Sequence, residues 1–351
     1  MQIEIPTRQE NKLAWYGPEL HADREKWVFE LSDDEISEIE LAAEGIADEG
    51  KSIVEISRQN FILPLLGPRL ERLAEQLVDG IGFALLRRIP VERYSTEQAA
   101  MMFYGVGAHL GNARMQNAEG HVLGHVRDLD MHSDAPDVRI YQTKERQTFH
   151  TDSSDIVGLL CLNKAKSGGE SLLVSAITIY NEMLKTDPDL VRLLFDPIAT
   201  DRRGEIPAGM QPFFSIPVFT WEQGNLTVMY QRQYIESAQR FDDAMRLTPD
   251  HIRALDMFDE FANDPALNLS MQLEPGDMQF VYNHGLLHDR TGFEDWPEIE
   301  KRRHLLRLWL SAPSDRHLPD VFEERFGSTE IGNRGGITVK GAEPCAPIEA
   351  A

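Results

Sequence analysis

The chain has 351 residues, 42% of them hydrophobic and 26% charged, which is apolar enough for a large core and excludes a disordered protein. Lys and Arg number 35 against 58 Asp and Glu, a net charge of −23. That balance argues against a nucleic-acid binder and against docking on an anionic membrane, because both need clustered cations; a small acidic ligand in a local basic pocket stays compatible with it.

In chain order, residues 1–30 read as an arm with Trp15, Tyr16 and Trp27 as docking points. They contain charges and prolines and no continuous apolar stretch, so no signal peptide is expected, and no run of about 18 apolar residues suggests a membrane span. A helix follows: Ser32 and Glu35 make a capping-box pattern, Asp33, Asp34 and Glu35 suit the positive end of a helix dipole, and Ile36, Ile39, Ala43 and Ile46 recur at helical spacing. A second helix starts after Pro68, with Leu70, Leu73, Leu77 and Val78 on one face. The run Ile81 to Leu86 reads as a strand. Ser95 and Gln98 cap a third helix reaching about Leu110.

Beyond residue 110, short β-rich runs separated by Gly, Pro and Asp dominate, at 121–127, 138–143, 156–162, 171–174, 214–221, 226–231, 267–273, 278–283 and 303–311. Glu222 to Asn225 reads as the turn of a hairpin. Helices are expected at 175–185, 188–195 and 249–262, and the tail beyond about 328 is expected to be partly mobile. Cys161 and Cys345 are far apart and match no zinc or redox spacing, which fits a reducing compartment, the cytoplasm. The fold class is therefore mainly β with α insertions, a barrel or jelly roll decorated by helices. A P-loop, a dinucleotide fingerprint and a Gly-x-Ser-x-Gly elbow are all missing.

Chemistry enters through His-x-Asp. On a strand, residues i and i+2 share a face, so both side chains reach one ion, and a distant His completes a triad that leaves open positions on a non-haem iron. Three copies occur: His21-Ala22-Asp23, His132-Ser133-Asp134 and His150-Thr151-Asp152. The first lies in the charged arm and the second in a polar loop. The third follows an extended segment and precedes the apolar run Ile156 to Leu162, so context favours His150 and Asp152. For the third ligand His284 and His288 compete, and spacing does not choose between them. Further on, Arg303, Leu305 and Arg307 share a strand face. An arginine turned into a barrel needs a partner, either a ligand carboxylate or a protein one.

Taken together, Phe149 to Asp152, Ser167-Gly168-Gly169-Glu170-Ser171, Asn283 to Phe293 and Arg302 to Trp309 stand in an order that resembles the taurine dioxygenase family of Fe(II)/2-oxoglutarate-dependent oxygenases, in the clavaminate synthase-like group. The similarity runs from about residue 60 to 312. It implies a double-stranded β-helix core flanked by helices, with an arm and helix at 1–60, the oxygenase domain with lid insertions at 61–315 and a C-terminal extension at 316–351. It implies that His150, Asp152 and His288 hold Fe(II), that Arg303 and Ser171 take the distal carboxylate of 2-oxoglutarate, and that Arg307 lies near its other carboxylate or an acidic substrate; Gln116 is a looser pocket match. O2 is the oxidant. Because Asp152 is present where halogenating relatives lack the carboxylate, oxygenation, desaturation or oxidative cyclisation of a small acidic or amino-acid-like molecule is expected. Relatives commonly associate, which leaves homo-oligomers open. The competing readings are a zinc hydrolase with the same three ligands and a jelly-roll binding protein without catalysis.

Overall fold

Ser32 closes the first long helix in the way its sequence dictates. Its Oγ accepts from the Glu35 N–H at 3.2 Å, and the Glu35 carboxylate accepts from the Ser32 N–H at 2.8 Å, a cap of about 1 kcal/mol. In the computed structural model, which describes residues 5–131 and 139–349, that helix spans Asp33–Asp48. Gly67–Asp79 and Thr96–Ala108 are the next two helices, the latter closed by a Ser95–Gln98 capping box.

Two sheets form the core. The larger has seven strands, in the order Val28–Glu30, Phe83–Arg87, Met278–Tyr282, Ile156–Asn163, His304–Ser311 and Asn112–Arg114, with Leu123–Val126 also pairing on His304–Ser311. The smaller has four: Leu269–Met271, Ser171–Ser175, Leu286–Arg290 and Gln147–His150. The strand His304–Ser311 shows why they pack. Leu305 and Trp309 join the cluster shared by both sheets, with Phe83, Val157, Leu173 and Leu287. Leu306, Leu308 and Leu310 join the cluster beneath the helices, with Leu70, Leu77 and Phe103. Alternation at period two thus aims Leu305, Arg307 and Trp309 between the sheets. This is a jelly-roll core, mainly β with helices around it.

The arm is anchored by its tryptophans. Trp15 and Trp27 tilt against Phe83, and their Nε1 groups donate to the Ile81 and Leu20 carbonyls at 2.8 Å. Two local expectations change. Residues 140–142 form a 3-10 turn, held by Gln142 Oε1 accepting from Arg139 N and by Thr143 Oγ1 donating to the Ile140 carbonyl. The run 214–221 divides at Pro217, which has no N–H to give a ladder: Phe213–Ile216 pairs with Ile198–Asp201, and Phe219–Glu222 with Asn225–Val228. The second pair turns through Gln223 and Gly224, at φ 49° and 81°, as a right-twisting hairpin requires. Arg202, just past the strand Ile198–Asp201, is 2% exposed, with its guanidinium over Phe214. The copy His132-Ser133-Asp134 lies outside the described residues.

The C-terminal segment joins the core. Phe322, just before a short turn of helix at Glu323–Phe326, and Phe326, its last residue, pack with Phe214, Ile216 and Leu318. Cys161 is a free, buried thiol whose surroundings push it up to about 12, and Cys345 is free and exposed.

Candidate metal centre and its cavities

Strand pairing brings two histidines together. In the smaller sheet His288 stands directly opposite His150, and the ring centroids are 4.1 Å apart. Asp152 lies just past the end of the Gln147–His150 strand, on a segment that Asn283 braces: Asn283 Oδ1 accepts from Asp152 N at 3.1 Å, and its Nδ2 donates to the Ser154 carbonyl at 3.0 Å. Asp152 oxygens lie 3.9 Å from His150 Nε2 and 3.7 Å from His288 Nε2, and one donor atom from each residue falls within 4.8 Å of the others. His21, in contrast, is exposed on the helix Gly17–Ala22.

The protonation states suit a cation. His150 Nδ1 sits 2.8 Å from the Thr148 carbonyl, so that nitrogen carries the proton and Nε2 keeps its lone pair, which accepts from Gln147 Nε2 at 2.9 Å. Burial, helped by the facing His288, lowers His150 to about 3, so its ring is neutral. Burial would raise Asp152, but Arg307 and the two imidazoles outweigh it and hold the carboxylate well below its usual range. Trp309 Nε1 donates to Asp152 Oδ2 at 2.8 Å. Two imidazoles and one carboxylate in reach of one point form a donor set suited to a divalent transition metal.

His284 goes elsewhere. Its Nε2 lies 2.8 Å from Asp155 Oδ1, in a second buried group with Asp315. The Arg334 guanidinium, at 0% exposure, already fills that group, giving Nε to Asp155 at 2.8 Å and Nη2 to Asp315 at 2.6 Å. Tyr282, Ser311 and the Ala312 N–H complete it. A resident guanidinium leaves no place for a metal, so this cluster ties the C-terminal segment to the loop that carries Asp152.

Two cavities flank the triad. One, of about 40 Å³, is lined by His288, Ser171, Arg303, Arg290 and Leu305. Arg303 is 5% exposed, burial pulls it down to about 10, and its Nη1 has no hydrogen-bond partner among the described residues. An unpaired buried guanidinium is costly, so the cavity is suited to an anion. Gly169 permits the arrangement: its φ is +75°, and a Cβ there would lie 3.0 Å from Arg303 Nε. Ser171 lines the same cavity and donates to Gln279 at 3.1 Å. Sequence reasoning passed over Arg290, which is lowered by burial to about 9 and has Nε and Nη1 unpaired among the described residues. A signal existed, since Leu286, His288 and Arg290 alternate onto one face of their strand.

The other cavity, of about 70 Å³, is bounded by Asp152, Arg307, Met229, Tyr234, Arg139 and Arg325. Arg307 is fixed by Gln116, whose Oε1 accepts from its Nε at 2.7 Å, and by stacking on Tyr141 and Trp309. Arg325 comes from the C-terminal segment, where the sequence offered no pattern to single it out.

Known proteins resemble this chain over most of its length. A profile of the family described as taurine catabolism dioxygenase TauD, TfdA matches residues 49–309. FR-33289 synthase of Streptomyces rubellomurinus (strain ATCC 31215) is 34% identical over 300 residues, covering 85% of this chain and 88% of that protein. Taurine hydroxylase-like protein SAT17 of Stachybotrys chartarum (strain CBS 109288 / IBT 7711) is 30% identical over 316 residues, covering 87% and 80%. Among solved structures, asparagine oxygenase in complex with Fe(II), 2S,3S-3-hydroxyasparagine and succinate superposes with a TM-score of 0.64 at 18% identity, covering 81% of this chain and 93% of that one, a likeness of fold.

Proposed function

The chain belongs to the taurine catabolism dioxygenase TauD, TfdA family, and we propose that in it His150, Asp152 and His288 hold the iron while Arg303 and Ser171, with Arg290 beside them, receive 2-oxoglutarate. The enzyme is an Fe(II)/2-oxoglutarate-dependent dioxygenase that uses O2 and acts on a small molecule. Bound iron supplies the activation of O2 that couples decarboxylation of 2-oxoglutarate, to succinate and CO2, with oxidation of a substrate C–H bond.

This chain's residues do the positioning. The Thr148 carbonyl fixes the His150 tautomer, and Trp309 with Asn283 orients the Asp152 segment. Arg303 offers two or more N–H groups to a carboxylate, a geometry that favours a planar, bidentate anion. Arg307, held by Gln116, stands between the two cavities with Nη1 3.9 Å from Asp152, so it faces both cosubstrate and substrate. The apolar walls, Leu305 and Val157 on one side and Met229 on the other, keep bulk water from the reacting atoms. The second cavity takes a small acidic or amino-acid-like substrate. Two unpaired cysteines fit the cytoplasm, and no helix among the described residues is long and apolar enough to cross a membrane.

The observation that carries this reading is the unpaired, buried Arg303 guanidinium in the cavity that His288 also lines. A zinc hydrolase with the same ligands has no use for it. Succinate release with Fe(II), 2-oxoglutarate and O2 is the test: release that needs all three, and is lost in Asp152→Ala and in His288→Ala, is expected. Unchanged release in Asp152→Ala with its metal content intact would overturn the assignment.

A further inference from the structure

The arginines around the second cavity differ in one respect. Arg139 Nη2 lies 2.6 Å from Glu205, and Arg307 is bonded to Gln116 and faces Asp152. Arg325 has no carboxylate within 4 Å among the described residues. Its one hydrogen bond to them runs from Nε to Ser153 Oγ, at 2.8 Å. Its guanidinium lies over Phe214, and its terminal nitrogens border the cavity without a partner among the described residues. Burial pulls it down to about 10; the nearby Glu205 charge opposes that fall, and Arg139 and Arg202 reinforce it. The nearby acids are committed, Glu205 to Arg139 and Asp201 to Arg240 and Ser237. The lining thus carries Arg139, Arg307 and Arg325 against Asp152, Asp201 and Glu205, and Arg325 is the arginine among them that no carboxylate of the described residues pairs with.

The geometry points to a second anion subsite, made by the Arg325 guanidinium beside Ser153, that reads a carboxylate, sulfonate, phosphonate or phosphate group on the primary substrate. This rests on the oxygenase reading of the neighbouring triad and deepens it. His150, Asp152, Ser153 and Arg325 line one cavity of about 70 Å³, so an anion held there lies close to the metal ligands. The substrate is then short, and the oxidised carbon sits within a few bonds of the anionic group. Arg325 lies beyond residues 49–309, the span the family profile matches, so this subsite distinguishes the chain from what that profile describes.

Small anions serve as probes. Methylphosphonate, methanesulfonate and acetate are titrated calorimetrically into the full-length protein, both alone and loaded with Mn(II) and 2-oxoglutarate, for the wild type, Arg325→Gln, Arg325→Lys and Ser153→Ala. At least one anion is expected to bind the wild type, to bind Arg325→Gln about tenfold or more weakly, and to recover partly in Arg325→Lys. The preferred anion names the class. Affinity for 2-oxoglutarate is expected to stay the same in every variant. Equal anion binding in wild type and Arg325→Gln, or no binding to the wild type at millimolar concentrations, overturns the subsite. Failure of the wild type carrying Mn(II) alone to bind 2-oxoglutarate speaks instead against the oxygenase assignment, and the titrations without cofactor still decide the subsite. Should Arg325→Gln not fold, anion binding by the wild type is compared with that of Arg325→Lys and Ser153→Ala: weaker binding in both supports the subsite, and equal binding in both overturns it.

Discussion

The indole Nε1–H of Trp309 donates to Asp152 Oδ2 at 2.8 Å, across 157 residues of sequence. This bond orients a carboxylate that two histidines also face. Partners of this kind typically change metal affinity by about 10- to 100-fold when removed. Trp309→Phe keeps most of the packing and deletes the donor. We expect Fe(II) or Mn(II) affinity to drop in that range with the fold retained, as read by metal titration and circular dichroism. Wild-type affinity in the variant would show that Asp152 is oriented without the indole.

Arg303 should separate cosubstrate binding from metal binding. Arg303→Gln removes the charge from the first cavity, and losing one partner of a buried, hydrogen-bonded charge pair costs about 2–5 kcal/mol. The KM for 2-oxoglutarate is therefore expected to rise by at least about 30-fold, while metal affinity holds. Gly169→Ala should act on the same step more weakly, because alanine at φ +75° costs about 1–2 kcal/mol and its Cβ crowds Arg303 Nε. Normal 2-oxoglutarate kinetics in Arg303→Gln would remove Arg303 from the cosubstrate site.

Arg334 is a matter of stability. Asp155 would be raised by burial, but His284 and Arg334 hold it low. Removing one partner from a buried ion cluster typically costs about 3–5 kcal/mol. Urea unfolding of Arg334→Met should show a loss of that size, together with weaker metal binding, since Asp155 lies three residues from Asp152. A variant as stable as the wild type would mean the cluster tolerates an unpaired carboxylate.

Stability should also fall in acid, and the histidines set the window. Burial lowers both His150 and His304 to about 3, against about 6.5 in an unfolded chain. Between those values the unfolded state binds more protons than the folded one, so stability increases with pH across the window. Each ring's contribution is complete above about pH 6.5 and diminishes as pH falls toward 3, by up to about 1.4 kcal/mol per pH unit per group. His304 stacks on the buried His125, which is lowered for the same reason, so neither ring protonates readily. The melting temperature of metal-free protein, scanned from pH 8 to 4, should decline below about 6.5. A flat profile would contradict the neutral state of these rings.

Much of the chain could be read locally. Ser32, Glu35, Ser95 and Gln98 announced their helices because a cap is made by side chains three residues apart, and the alternation from Arg303 to Trp309 announced a strand with two unlike faces. The order of the four motif segments was enough to indicate the family and a jelly-roll core, and His-x-Asp named two members of the triad. Spacing left His284 and His288 open and the family resemblance pointed to His288; the packed chain adds that Asp155 and Arg334 occupy His284 and that strand register sets His288 opposite His150. Arg290 and Arg325 were silent for a related reason. A guanidinium becomes informative when its surroundings leave it unpaired, and those surroundings are assembled from segments more than a hundred residues apart. Sequence determines what each segment can do by itself; only the packed chain decides which charges find partners and which are left facing a cavity.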